Sequence, residues 1–224
     1  MHTSIHSVFH LNIAYSSIAE KDIPTIIENC YWPLLRLIER FPKAISIEVT
    51  GYTLEIIQKL DPKWTEKLKE LIHKGYCELI GSGYSQIIGP LVPAEVNEKN
   101  LKFGNEVYLS ILNVKPEIVF VNEQVYGPGL IAHYQNAGYK AMIMEWNNPA
   151  HFHPEWDSNL SYYPQIVLDQ GNKEMPVLWN NSTHFQRFQR YIHNDISLED
   201  YWSYLEGHMG EGNFILFYGS DAEI

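Results

Sequence analysis

The segment PEIVFVNEQVYGPGLIAHYQNAGYKAMIME, residues 116–145, decides the fold. It opens with an apolar run, Ile118-Val119-Phe120-Val121, of the kind that fills a buried strand. Asn122, Glu123 and Gln124 follow, and the chain turns at Gly127-Pro128-Gly129. A helix is predicted from Pro128 to Asn136 with Gly138 as its C-terminal cap. A second strand is predicted from Lys140 to Glu145. Strand, helix and strand in this order make a βαβ unit, hence a right-handed crossover and a parallel pair. The same segment puts a carboxylate, Glu123, at the end of a buried strand, where charge is costly unless it is used or paired.

The alternation continues in both directions. Strands are predicted at Ser4 to Ile13, Ala44 to Val49, Tyr76 to Ile80, Gln165 to Leu168, Met175 to Trp179 and Phe214 to Tyr218. Helices are predicted at Ile23 to Phe41, Leu54 to Leu60, Pro62 to His73, Ala94 to Leu112, Thr183 to Ile192 and Leu198 to Met209. Asp61 is a natural N-cap for the helix that starts at Pro62. Pro33, inside the first helix, demands a kink or a break. About seven principal strands alternating with helices imply an α/β protein with a parallel sheet. No Gly-x-Gly-x-x-Gly follows the first strand, and polar residues cluster after many strands rather than at one switch point. That scatter predicts a barrel, whose site is assembled from the loops at the C-terminal ends of its strands. No repeat, low-complexity segment or linker divides the chain, so residues 1–224 are expected to form a single barrel domain.

Composition narrows the function. The 224 residues are 45% hydrophobic and carry a formal net charge of -11, which permits a large core and argues against nucleic acid as a partner. No apolar run reaches membrane-spanning length, and the first residues, MHTSIHSVFHLNIAY, lack the basic start and apolar core of a signal peptide. A cytoplasmic protein without a membrane partner is expected. Cys30 and Cys77 form no Cys-x-x-Cys and read as free thiols. Aromatics reach 13%, with 6 Trp and 15 Tyr; such rings fill cores, and they also stack on sugar faces.

The predicted strand ends carry His10 with Asn12, Glu48 with Thr50, Glu78 with Gly81-Ser82-Gly83, Glu123, Glu145 with Trp146, and Asp221 with Glu223. Several carboxylates at one barrel mouth is what glycoside hydrolysis needs, one group to attack or stabilise the anomeric carbon and one to protonate the leaving oxygen. Glu48 and Glu145 read equally as salt-bridge partners, and His10 as a hydrogen-bonded core histidine. HFHPEWD, residues 151–157, offers two His and two carboxylates; with no second cluster at helical spacing it reads as a loop facing substrate or solvent, so no metal site and no cofactor is assigned.

These residues resemble glycoside hydrolase family 57, the α-amylase and 4-α-glucanotransferase family. FHLNIAYSSI resembles the first-strand motif, with His10 kept and Leu11-Asn12 departing from its Gln-Pro. CELIGSGYSQIIGPLVP is similar to the Glu-x-Gly-Gly-Gly-Tyr segment and places Glu78 at the substrate-site Glu. FVNEQVYGPGL is similar to the Trp-x-x-Glu-x-x-Tyr segment; Glu123 and Tyr126 match, and Phe120 stands for the Trp. FYGSDAEI resembles the Asp-Asp-Gly-Glu segment, with Asp221 at the acid/base.

The resemblance implies a (β/α)7 barrel, a retaining mechanism, and an α-glucan or maltooligosaccharide substrate. It makes Glu123 the nucleophile and Asp221 the acid/base. His10, Glu78 and Glu223 would bind sugar, and Tyr84, Trp146 and Trp156 would stack on sugar rings. Family members continue into a helical C-terminal region, so this chain is expected to be a fragment of a longer protein, with a seam left beside its last strand. Two other readings stay open. One is a metal-dependent polysaccharide deacetylase or α-mannosidase-like barrel, although the first strand lacks the paired Asp or His-x-Asp such enzymes carry. The other is a barrel that binds glucan without turning it over.

Overall fold

The structure, a computed structural model, describes residues 3–210 and 212–223, of which 217–220 by their backbone alone. The strands are β1 (Ser4–Leu11), β2 (Ile45–Val49), β3 (Leu79–Gly81), β4 (Ile118–Phe120), β5 (Ala141–Glu145), β6 (Gln165–Leu168), β7 (Glu174–Asn180) and β8 (Phe214–Asp221). Seven are parallel, and they close in the order β1, β2, β3, β4, β5, β7, β8 and back to β1. The predicted (β/α)7 barrel is present. The strand predicted at Gln165 to Leu168 is β6, which pairs antiparallel with β7 and stands outside the ring.

Closure is uneven. β1 pairs with β8 along most of its length, from Ser4 with Phe214 to His10 with Asp221. β7 meets β8 only at Asn180 and Leu216 among the described residues. The helix α8 (Ser182–Ile192) packs against β8 beside this junction.

Period-2 alternation sorts the side chains. Leu11, Ile47, Val49 and Leu79 face outward into one apolar layer under the helices. Val119, Val121, Met142, Met144, Val177 and Trp179 do the same on the other side. Val8, Ile80, Phe120, Ile143 and Leu216 point inward and fill the barrel. Two residues further along the same inward rows come His10, Asn122, Glu145 and Asn180. The apolar filling therefore stops one layer below the C-terminal mouth, and polar side chains take over.

The helices show why the elements end where they do. The first is α1 (Ile23–Ile26), a π turn (Ile27–Tyr31) and α2 (Trp32–Arg40) in one run. The kink expected at Pro33 is this widened turn, in which Trp32 N–H reaches back to Ile27 O. It absorbs the N–H that proline lacks without ending the helix. Thr50 caps α3 (Gly51–Leu60), which starts before the predicted Leu54, by accepting from Thr53 N–H; Asp61, the predicted cap, accepts from Trp64 N–H at the start of α4 (Pro62–His73). The chain continues through α5 (Ala94–Leu112), α6 (Leu130–Ala137), the short α7 (Asn147–Phe152), α8 and α9 (Leu198–Glu206). No described helix is long and apolar enough to cross a membrane. Cys30 and Cys77 are free.

Candidate functional site

A cavity of about 420 Å³ opens at the C-terminal mouth of the barrel. Six of the seven barrel strands feed it: His10 and Asn12 from β1, Gln86 from the loop after β3, Phe120, Asn122, Glu123 and Gln124 from β4, Glu145 from β5, Asn180 from β7 and Asp221 from β8. Ser182 and Phe185 of α8 complete the wall. Among the described residues β2 sends no side chain to the surface of the cavity; its Glu48 lies behind His10, fully buried and bonded to His10 Nδ1.

Glu123 sits on a special backbone. It and Gln124 both adopt left-handed φ, at 53° and 55°. Two consecutive non-glycine residues in this region are sterically costly and typical of functional turns. The turn is pinned by Val121 N–H on Ile143 O, Gln124 N–H on Val121 O and the Asn122 side-chain amide on Ser82 O. The Gln86 side-chain amide donates to the Glu123 carboxylate. Gln86 is held in turn by the loop Gly81-Ser82-Gly83-Tyr84-Ser85, which α5 grips through Asn100: its side chain bonds Ser85 N–H and O, and its backbone O accepts from Tyr84 N–H. Gly104 of α5 lets the loop come this close, since a Cβ there would stand 2.4 Å from the Gly83 carbonyl carbon.

His10 is the one basic side chain among the described lining residues. Burial, the largest single influence, pulls the imidazole down. The Glu48 carboxylate, with help from Asp221 and Glu223, outweighs that and lifts it to about 9. The ring also lies nearly parallel to Phe120, 6.4 Å between centroids. Asp221 is the last residue of β8 and pairs in register with His10, and Ala222 N–H donates to His10 O. Glu145 is tied down: its two carboxylate oxygens accept from Asn147 and Asn148 N–H at 2.6 and 2.7 Å, the start of α7.

Of the residues predicted from sequence, the structure brings Glu123, Asp221 and His10 to one cavity. The other five stand elsewhere. Glu78 precedes β3, which begins at Leu79 rather than Tyr76. It shares the inward parity of Ile80 but lies about 7 Å lower along the strand direction, exposed at the opposite end of the barrel near Glu117. Burial and the Glu117 charge raise its carboxyl. Tyr84 packs beside Tyr52 and Phe103 and gives its hydroxyl to Glu55, on the outside of the barrel. Trp146 is buried among Trp156 and Trp179, and Trp156 stacks flat on His153 at 4.4 Å. Glu223 turns away from the cavity: its carboxylate accepts from Asn12 N–H and from the Tyr31 hydroxyl, tying the end of β8 to β1 and the π turn. Burial raises this carboxyl, with those two donors opposing.

Gln86, Asn122, Gln124, Asn180, Ser182 and Phe185 were not singled out by sequence. A signal was available for two of them. Asn122 and Asn180 stand two positions beyond the inward-facing Phe120 and Leu178, so parity alone puts them at the mouth. No described group of three or more His, Cys, Asp or Glu side chains is arranged to hold a metal ion, and the HFHPEWD segment contributes only the exposed pair His153 and Glu155.

A parallel seven-stranded barrel with carboxylates from opposite strands in one mouth cavity defines the class of the molecule. The sequence model of glycosyl hydrolase family 57 matches residues 8–224, and the chain belongs to that family. It is 25% identical over 119 residues to an α-amylase of Pyrococcus furiosus, a match that covers 53% of this chain and 18% of the relative. It thus spans a small part of the length of the curated relatives it matches. The fold is similar to that of the 4-α-glucanotransferase of Thermococcus litoralis, with a TM-score of 0.77 at 18% identity, over 99% of this chain and 33% of that one. An exo-type maltose-forming amylase from Pyrococcus sp. ST04 has the same TM-score of 0.77 at 14% identity, over 100% of this chain and 43% of that one.

Proposed function

We propose that the chain carries the catalytic site of a retaining enzyme that hydrolyses or transfers α-1,4-glucans, with Glu123 as nucleophile and Asp221 as acid/base. The observation that carries this is the meeting of Glu123, from β4, and Asp221, from β8 across the barrel, in one cavity. Family membership and relatives named α-amylase and 4-α-glucanotransferase supply the substrate class.

In the first step a Glu123 oxygen attacks the anomeric carbon while the bond to the leaving oxygen breaks. The Asp221 proton passes to that oxygen, leaving a glycosyl ester on Glu123 and a carboxylate at Asp221. In the second step Asp221 takes a proton from water or from an acceptor hydroxyl, which attacks the same carbon and frees Glu123. The left-handed turn and the Gln86 amide aim Glu123, and His10 faces sugar oxygens from the floor. Water as acceptor makes the enzyme an amylase; a sugar hydroxyl makes it a glucanotransferase.

Product analysis on maltoheptaose by thin-layer chromatography tests the reading with the full-length gene product. Short products alone indicate hydrolysis, and a ladder above the starting length indicates transfer. Glu123→Gln should abolish both without unfolding the protein; near-native turnover in that variant would overturn the assignment. Binding of maltooligosaccharide without turnover by the native protein would return the non-catalytic reading.

A further inference from the structure

Glu48 is fully buried in β2, a strand whose five residues are all buried. It is the one charged residue in ISIEV, and a well-packed apolar side chain in its place would generally be no less stable, because desolvating an ion pair offsets its attraction. Its placement therefore calls for a role beyond packing. One oxygen binds His10 Nδ1, and the other, Oε1, is buried with no hydrogen-bond partner among the described residues. Register puts Glu48 beside His10 on β2 and Asp221 beside His10 on β8. Neighbouring strands lie about 4.8 Å apart, so carboxylate, imidazole and carboxylate form one row at the cavity floor. Phe120 closes the ring from β4.

We propose that Glu48 is a positioning residue of this site, holding the His10 ring in one orientation as an imidazolium so that a fixed positive charge stands beside Asp221. This rests on the reading of Asp221 as acid/base. Negative charge develops on Asp221 as it passes its proton to the leaving oxygen, and a cation held in register beside it stabilises that developing charge. With Nδ1 committed to Glu48, both nitrogens of the cationic ring are donors and neither accepts. The titratable groups facing the ring are all carboxyls, Glu48 from β2 and Asp221 and Glu223 from the end of β8; burial pulls the ring down, Glu48 is the strongest of the three that lift it, and Asp221 adds to the lift when it is ionised.

The test is a histidine NMR titration of the full-length protein, with His10 assigned by the signal lost in His10→Asn. The native His10 midpoint is expected well above 7. In Glu48→Gln, which keeps the volume and removes the charge, it should fall below 6.5. Turnover of maltoheptaose in that variant should drop about tenfold or more, with a smaller change in KM, and Glu48→Asp should recover part of it. A native His10 that is neutral at pH 7 overturns the proposal, whether or not the variant folds. So does a midpoint that Glu48→Gln leaves in place, or one that moves while turnover does not. Should the native protein turn over no glucan, the functional reading fails, and the titration still decides whether Glu48 holds the charge.

Discussion

Gln86 donates its side-chain amide to the Glu123 carboxylate, joining the loop after β3 to the turn after β4. Glu123 is exposed and its turn carries left-handed backbone, so this bond is what restrains the carboxylate in the cavity. Gln86→Ala removes a charge-assisted bond and a positioning contact. We expect kcat on maltoheptaose to fall about ten- to a hundredfold, with a thermal midpoint within error of native. Steady-state kinetics beside a calorimetric scan checks both halves.

The left-handed turn costs stability that the site retains. Glutamate at φ 53° is disfavoured, by about 1–2 kcal/mol, and asparagine tolerates the region far better. Glu123→Asn should therefore raise the thermal midpoint by roughly 2–4 °C, the shift that about 1 kcal/mol brings in a domain of this size, while removing activity. A lowered midpoint would show that the turn is not strained.

Gly104→Ala sets two effects against each other. Alanine gains about 1 kcal/mol of helix propensity over glycine. Its Cβ would stand 2.4 Å from the Gly83 carbonyl carbon, and that neighbour is backbone which cannot rotate away. Overpacking of this kind costs about 1–3 kcal/mol, so a net loss of roughly 1–2 kcal/mol is expected. The displaced loop carries Gln86, so activity should fall further than the urea midpoint does.

Two histidines shape the pH dependence of stability in opposite directions. His10 is raised to about 9 by Glu48 acting against burial. Its contribution is complete below about pH 6.5 and is lost as pH rises through 9, on the order of 3 kcal/mol in all. His184, buried in α8 with Nδ1 on the Tyr204 hydroxyl and His208 against its ring, is lowered to about 4 by burial and then by His208. Its neutral form is favoured in the fold, so stability falls as pH drops from about 6.5 towards 4. Urea midpoints across pH 4–10 should peak near neutrality. Glu48→Gln should flatten the alkaline side alone, and His184→Gln the acid side alone.

The alternation that makes a parallel barrel was legible in the chain, because strand and helix periods and the caps at Asp61 and Gly138 are local properties. Glu123 and Asp221, which line one cavity, were singled out through short motifs resembling a known family. Glu78 shows where local reading runs out. Its parity is right, but the pairing with β2 and β4 runs from Leu79 to Gly81, so Glu78 precedes the strand and lies away from the C-terminal mouth that Gly81 reaches. Tyr84, Trp146 and Trp156 were assigned to sugar because aromatics suit it, yet packing against helices and against each other placed them outside the cavity.

The sequence by itself determined the order of elements, the inward and outward faces of each strand and the chemical types at the strand ends. Only the tertiary structure decided which of those ends share a cavity, since that depends on register between strands far apart in the chain. Register set His10 between Glu48 and Asp221, turned Glu223 into a staple on Asn12 and Tyr31, and brought Gln86 onto Glu123. Each of these contacts joins residues tens to hundreds of positions apart, and no local pattern encodes them.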